Sequence, residues 1–554
     1  MLTLKIPIIN FMKINLTVTG FAAATLFVFN TAAAQQMPAK PADAPKNWHT
    51  LDLKKDGYFG VSLNQAYDFL KGKKSKTVVV AIIDSGADTL QKDLQPVLWV
   101  NTKEKAGNGK DDDNNGYTDD LHGWNFLGGP NNKCDVNETT EEVREYYRLK
   151  DKYAAITATT AKDKAEYAYW LKVKSIRDST VSKSQAELDQ LSPLMNALVS
   201  TDAFIKKSLK LKAGQSFSKN DLNRLDTKND TISKSKYIWG MIMQDADSSK
   251  TDTKTITELS EYITKLNNDV NPDLEARKRV VGDNPNDIND KKYGSNQLKF
   301  DDASHGTGVA GLIGAVRNNG YGIDGIADNV KIMPIKAVPN GDEYDKDIAN
   351  AIRYAVDNGA KVVNMSFGKK ISPHKKWVDD AIRYAAEKDV LLVQASGNDN
   401  QNVDLKPEFP NDTFLDGTTT DNLISVGASG ALNDENLAGS FSNYGKKSVD
   451  VFAPGVKVTS IDKDAEFNTA DGTSFASPIT AGIAALVLEY YPALSAKQLK
   501  EVIIASAKPL QGMQVIKPGS KDKVDFTTLS KSGGVVNALE ALKAASRLQG
   551  ERKK

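Results

Sequence analysis

The stretch Thr77-Val-Val-Val-Ala-Ile-Ile-Asp-Ser-Gly86 places six consecutive apolar residues directly before an aspartate. A run with no polar alternation predicts a strand covered on both faces, as in parallel sheets flanked by helices. Similar runs follow at Lys331–Ala337, Lys361–Ser366, Val390–Ala395 and Leu423–Ala428. Between them, Asp345–Asn358 and Trp377–Lys388 carry apolar residues at helical spacing, and Gly359 sits where a helix C′ glycine is expected. The near copies Ala351-Ile-Arg-Tyr-Ala355 and Ala381-Ile-Arg-Tyr-Ala385 reflect recurring packing, since a repeat architecture needs more than two units. Strand alternating with helix gives the α/β class, a parallel β-sheet sandwiched by helices.

Working outward, the pattern breaks between Glu138 and Phe300. This stretch is rich in Lys, Asp, Thr and Ser, with helical patches at Glu141–Tyr153, Ala186–Lys207 and Thr255–Leu266. It reads as a mainly α-helical insertion of about 160 residues, too long for a plain loop. Upstream, residues 1–34 hold Lys5 and Lys13, no acid, and an apolar run from Leu16 to Phe29 ending in Ala32-Ala33-Ala34. That is the pattern of an export signal with an A-x-A cleavage site, and Met12 offers an alternative start. No cysteine follows the cleavage site, which argues against lipid attachment. The expected organisation is a signal over 1–34, a first core block over 35–137, the insertion over 138–300, and a second core block over 301–548.

Of the 554 residues, 40% are hydrophobic and 26% charged, enough for a sizeable core. Lys and Arg number 72 against 71 Asp and Glu, so no global field attracts nucleic acid or an anionic membrane. Loss of Lys5 and Lys13 would leave 70 basic side chains against 71 acidic ones. No membrane span is expected after signal removal. The single Cys134 excludes an internal disulfide and a thiolate metal centre, and four histidines leave little room for a His-rich one.

Three motifs carry chemistry. Asp84-Ser85-Gly86 lies at the carboxyl end of the first buried strand, where α/β sheets present functional groups to a crevice. His305-Gly-Thr-Gly-Val-Ala-Gly311 is a histidine followed by small residues that let a helix pack closely. Gly472-Thr-Ser-Phe-Ala-Ser-Pro478 sets Ser474 near the amino end of a long apolar helix, where free N–H groups favour negative charge. Singly, each has a structural alternative. Together, the order Asp, His, Ser with these flanks resembles the subtilisin-like serine proteases, the subtilase family, over about Trp48–Asn137 and Phe300–Arg547.

The resemblance implies a subtilisin-like fold and serine endopeptidase activity. Ser474 would be the nucleophile, His305 the general base and acid, and Asp84 the group that orients the imidazole. Asn398, in Ala395-Ser-Gly-Asn398, would join the Ser474 N–H in an oxyanion hole. Peptide or protein substrate would lie extended along Ser366-Phe367-Gly368, Gly397 and the Asn340-Gly341-Asp342 loop as an added strand. Asp399 beside Asn398 could meet a basic side chain or face solvent. No folding propeptide of the usual length fits between Gln35 and Asp84, which raises autoinhibition by the 138–300 insertion as a hypothesis. A lipase would need Gly-x-Ser-x-Gly and the order Ser, Asp, His, and a dead scaffold would lack one of the four polar groups.

The acidic run Asp111-Asp-Asp-Asn-Asn-Gly-Tyr-Thr-Asp-Asp120 puts oxygen side chains at positions 1, 3, 5 and 9 with glycine at 6, as calcium loops do. Structural Ca²⁺ is expected from Asp111, Asp113, Asn115, Tyr117, Asp119 and Asp120, although His122 replaces the bidentate Glu at position 12. Asn101, Glu104 and Asn125 resemble the family's flanks of this loop, and Asp93 with Asn318-Asn319 resembles a second calcium site.

Overall fold

The computed structural model describes residues 44–226, 228–244 and 250–552; the signal-like segment 1–34 lies outside the described residues. Seven strands form one parallel sheet: β1 (Val78–Asp84), β2 (Trp124–Asn125), β3 (Val330–Lys336), β4 (Val362–Met365), β5 (Leu391–Ala395), β6 (Leu423–Ser429) and β7 (Val451–Pro454). Their spatial order is β2-β3-β1-β4-β5-β6-β7. The five apolar runs became β1, β3, β4, β5 and β6. β2 and β7 were not anticipated: β2 has only two residues, and Val451-Phe-Ala-Pro454 ends in a proline that reads as a loop.

The unbroken run of β1 is explained by two separate cores. Val80 and Ile82 join the cluster that holds the helices Ser304–Gly314 and Thr473–Tyr490, whereas Ala81 and Ile83 join the cluster under Asp345–Asp357 and Lys375–Glu387. With a period of two, each face therefore needs its own apolar set. An antiparallel hairpin, β8 (Val458–Ile461) and β9 (Phe467–Ala470), lies on the same side as the first pair of helices.

The polar stretch between the two blocks folds as helices Glu141–Tyr153, Lys164–Ser208, Asp230–Ile242 and Asp252–Val270, with short turns at Lys219–Asn223 and Ala276–Val280. It has its own apolar centre, including Leu198, Ile205, Phe217, Trp239 and Leu259, so it is more than a solvated surface. Its two ends are fastened to neighbouring points of the core. Arg144 donates to the Thr139 and Asp342 carbonyls at 2.7 and 2.9 Å. Arg277 grips Asp283 with two hydrogen bonds of 2.8 Å and Asp347 with bonds of 2.7 and 2.9 Å. Such planar forks fix orientation as well as charge. The tail of the stretch already belongs to the core: Ser295 pairs with Asn125, and the Leu298 carbonyl accepts from Ala87 N–H at 3.2 Å. Among the described residues no helix is long and apolar enough to cross a membrane.

His49, in the turn Trp48–Thr50, is 2% exposed and its Nδ1 has no partner. Burial pushes its pKa from 6.5 down to about 4. The folded state therefore resists a proton that the unfolded chain accepts, and stability is lost as pH falls through 6.5 toward 4. For about 2.5 units the loss is about 3 kcal/mol. H49Q should remove that part of the acid sensitivity, read as a smaller drop in denaturation midpoint between pH 7 and pH 4 than in the parent.

Candidate active site

Asp84 is the last residue of β1 and is 1% exposed. Its Oδ1 accepts from the Ser85 N–H at 2.7 Å and lies 2.6 Å from His305 Nδ1. These groups are 221 positions apart in sequence. Glycine makes the approach feasible: a Cβ on Gly306 would stand 1.9 Å from the Gly86 carbonyl oxygen. Gly86 itself has φ of +91°, and a Cβ there would strike the Leu298 carbonyl at 2.3 Å. The Gly306 N–H then donates to Ser85 Oγ at 3.2 Å, and the Asp88 N–H to Thr307 Oγ1 at 2.8 Å. The start of the histidine helix is thus tied to the end of the strand at three points.

Ser474 is the second residue of the helix Thr473–Tyr490, buried at 4% exposure. Pro478 has no N–H to give to the carbonyl four residues before it, which is that of Ser474. The freed carbonyl accepts instead from Ser366 Oγ at 2.9 Å, and Ser366 Oγ in turn accepts from Asn364 Nδ2 at 2.9 Å. Ser477 Oγ donates to Asn364 Oδ1 at 2.7 Å. This network locks the first turn of the helix onto the end of β4. The Ser474 hydroxyl donates to the Ser366 carbonyl at 3.2 Å, while His305 Nε2 is buried without a partner. Both groups line one small cavity with Gly308, Ile461, Asn468 and Phe475.

Asn398 follows β5. Its Oδ1 accepts from the Thr473 N–H and from Thr473 Oγ1, both at 2.9 Å. A backbone N–H can only donate, so the amide orientation is fixed and Nδ2 is left as a donor on the residue that grips the amino end of the Ser474 helix. Gly397 packs against the same residue, its N–H reaching Thr473 Oγ1 at 3.2 Å.

The substrate-edge residues divide. Among the described residues no backbone hydrogen bond engages Phe367 or Gly368, and Gly368 is exposed. The Asn340-Gly341-Asp342 loop, expected to pair with substrate, is spent on residues 136–139, where the chain enters the helical stretch. Asn340 N–H donates to the Val136 carbonyl at 2.7 Å, Asp342 N–H to Thr139 at 3.3 Å, and a Cβ on Gly341 would meet the Glu138 carbonyl at 2.2 Å.

The six expected calcium positions also divide. Asp111 and Asp113 come together with Glu104, their ligand oxygens all within 4.8 Å of one another. Glu104 Oε2 is buried without a partner. Asp119 instead clamps the Asn108 and Gly109 N–H groups at 3.1 and 2.7 Å. Asp120 is fully buried between Asn101, Asn115 and the Tyr354 hydroxyl, and burial raises it to about 6. The Asn115 Oδ1 is taken by the Tyr117 N–H at 2.8 Å, and the Tyr117 ring packs on Trp124 and Tyr354. Asn125 Oδ1 is taken by the Leu127 N–H at 2.8 Å. Asp93 is occupied by Asn319 Nδ2 at 2.5 Å and the Ile323 N–H at 3.1 Å.

Sequence reading missed the helix Asp252–Val270 as a neighbour of the site. Lys254 reaches Glu466 at 3.4 Å, the Phe467 carbonyl at 3.3 Å and Asp462 at 3.5 Å, all in the hairpin that walls the Ser474 cavity. Lys265, eleven residues on along the same helix face, has Asp342 and Asp399 as attracting neighbours, and burial lowers its pKa. The two lysines stand about 16 Å apart along the helix. Only long-range packing could reveal this, since its Lys and Glu spacing reads as an ordinary solvated face.

Comparison with known proteins agrees with the geometry. A family model described as the subtilase family matches residues 75–535. The "Thermophilic serine proteinase" of Bacillus sp. (strain AK1) is 39% identical over 185 residues, 33% of this chain and 42% of that protein. The "Cell wall-associated protease" of Bacillus subtilis (strain 168) is 34% identical over 236 residues, 42% of this chain and 24% of that protein. "Subtilisin DY" of Bacillus licheniformis is 35% identical over 213 residues, 38% of this chain and 72% of that protein. The chain thus spans less than half the length of the first two. With the family match running across most of its length, and with the sheet, the Asp84–His305 pair and Ser474 brought to one crevice, this chain belongs to the subtilase family.

Proposed function

We propose that the chain is an exported serine endopeptidase working through an acyl-enzyme. The observation that carries this reading is the unpartnered His305 Nε2 facing the Ser474 cavity while Nδ1 is held by Asp84. A serine hydroxyl is too weak an acid to attack a carbonyl unaided. When Ser474 turns from the Ser366 carbonyl, His305 takes its proton as Oγ bonds to the scissile carbon, and Asp84 stabilises the imidazolium. The oxyanion is met by Asn398 Nδ2 and the Ser474 N–H, and the imidazolium then protonates the leaving amine. Water, activated by the same imidazole, releases the acyl group. Extended substrate pairs with Phe367 and Gly368. Export is supported by the signal-like segment and by relatives whose names place them at the cell wall or outside the cell.

The helix Asp252–Val270 serves as a cover over the cleft, held at one bank by Lys254, while Lys265 lies in the attracting field of Asp342, Asp269 and Asp399. Structural calcium fits Glu104, Asp111 and Asp113, because the unpartnered buried Glu104 oxygen lacks a cation and all three are hard oxygen donors. The ion would neutralise the carboxylates and brace this loop on itself.

A fluorophosphonate probe should label the parent and not S474A, and N398A should lower kcat by about 10²–10³, a magnitude borrowed from subtilisin rather than derived from this geometry. Absence of labelling in the parent, in its lid-weakened form below, and of any peptidase activity would refute the reading. K254A/K265A should raise kcat/KM for a long peptide by about fivefold or more while changing a small ester substrate little; equal effects on both would remove the cover. Calcium at saturation should raise the thermal midpoint of the parent relative to chelator, and D111N/D113N should abolish that difference.

A further inference from the structure

Resting on the peptidase reading, we propose that Lys336 is a positioning residue of the triad. Its buried ammonium clamps Ser85, the neighbour of Asp84, to Asp302 in the turn that leads into His305, and so holds carboxylate and imidazole at bonding distance. Lys336 is the register partner of Asp84 across β3 and β1. With a side-chain period of two it shares a face with Ile332, whose cluster also holds Val80 and Ile82 of β1 and the histidine helix. A lysine at a strand end ordinarily extends its charge to water. Lys336 is instead 0% exposed. Its Nζ donates to the Ser85 carbonyl at 2.8 Å and pairs with Asp302 Oδ2. Phe300 lies 5.9 Å from the ammonium, and Lys336 Cδ would stand 3.3 Å from a Cβ on Gly86.

The two acceptors belong to the two segments that meet at the site. Ser85 donates its N–H to Asp84 Oδ1 at 2.7 Å, and its Oγ accepts from the Gly306 N–H at 3.2 Å. Holding the Ser85 carbonyl therefore limits backbone rotation at the residue that makes both bonds. On the other segment the path from Asp302 to His305 is short and bonded: the Ala303 N–H donates to the Phe300 carbonyl, and the Thr307 N–H to the Ala303 carbonyl, both at 3.0 Å. Asp302 Oδ1 is buried without a partner, and Lys463, the other cation in reach of Asp302, donates to the Asp301 carbonyl. Stability alone does not account for such a pair, because desolvation offsets the attraction and apolar side chains of like volume often serve as well. Direction does account for it. A buried ammonium must find acceptors, and here it finds them only by drawing the carboxyl end of β1 and the start of the histidine helix together.

The test compares the parent with K336M, D302N and K336M/D302N, each as the full chain. Thermal midpoint is read beside kcat and KM for a small ester, counted per site titrated by fluorophosphonate. K336M leaves the Asp302 carboxyl buried alone and should lower the midpoint, and K336M/D302N should recover most of that loss. Catalysis should not recover with it: the double variant should keep KM within about twofold of the parent while kcat falls about tenfold or more. A pair that only supports the fold would restore kcat together with stability. Parental kcat in K336M or in the double variant, or a loss carried by KM alone, therefore overturns the proposal and leaves the peptidase reading standing. If the double variant does not fold, D302N decides: kcat lowered about threefold or more supports the clamp, and parental kcat ends it. No labelling and no turnover in the parent or in K254A/K265A overturns both.

Discussion

The contact between Gly306 and the Gly86 carbonyl governs the geometry of this molecule. A single methyl group at Gly306 would occupy the space of that oxygen, and the helix that carries His305 could not reach the end of β1. The hydrogen bond between imidazole and carboxylate, the pairing of Ser85 and Asp88 with the helix, and the placement of the tail of the helical stretch over Gly86 all depend on this approach. Packing here is a matter of tenths of an ångström, because protein interiors are dense and relax only partly.

The serine side is fixed by different means. Pro478 withholds one hydrogen bond from the helix, and the resulting free carbonyl is the hook by which Ser366 fastens Ser474 to the sheet. Thr473 in turn fixes the amide of Asn398 through two bonds to one oxygen. Ser474 and Asn398 are therefore each held by a neighbouring hydroxyl-bearing residue, as preorganised sites require.

Much of this was legible in the chain. The run Val78–Ile83 announced a doubly covered strand because neither face could tolerate a polar residue, and the helices Glu141–Tyr153 and Asp345–Asp357 fell where their periodicity put them. The glycine-rich flanks of His305 and Ser474 marked the close approaches. What stayed hidden was set by contacts between distant segments. Asp119 and Asp120 look like calcium ligands in a linear motif, yet in three dimensions their oxygens are taken by backbone N–H groups and by Tyr354. Glu104, named beforehand only as a flank of the loop, is the residue that joins Asp111 and Asp113.

The two anchorages of the helical stretch, Arg144 at Asp342 and Arg277 at Asp347, land within one turn of the same loop and helix. Chain leaving and rejoining at a single doorway adds no lever arm to the sheet, so a body of this size can be carried without altering strand register. It sits as a cassette clipped to the rim of the fold at that doorway, with Lys254 as a further tie to the hairpin that walls the Ser474 cavity.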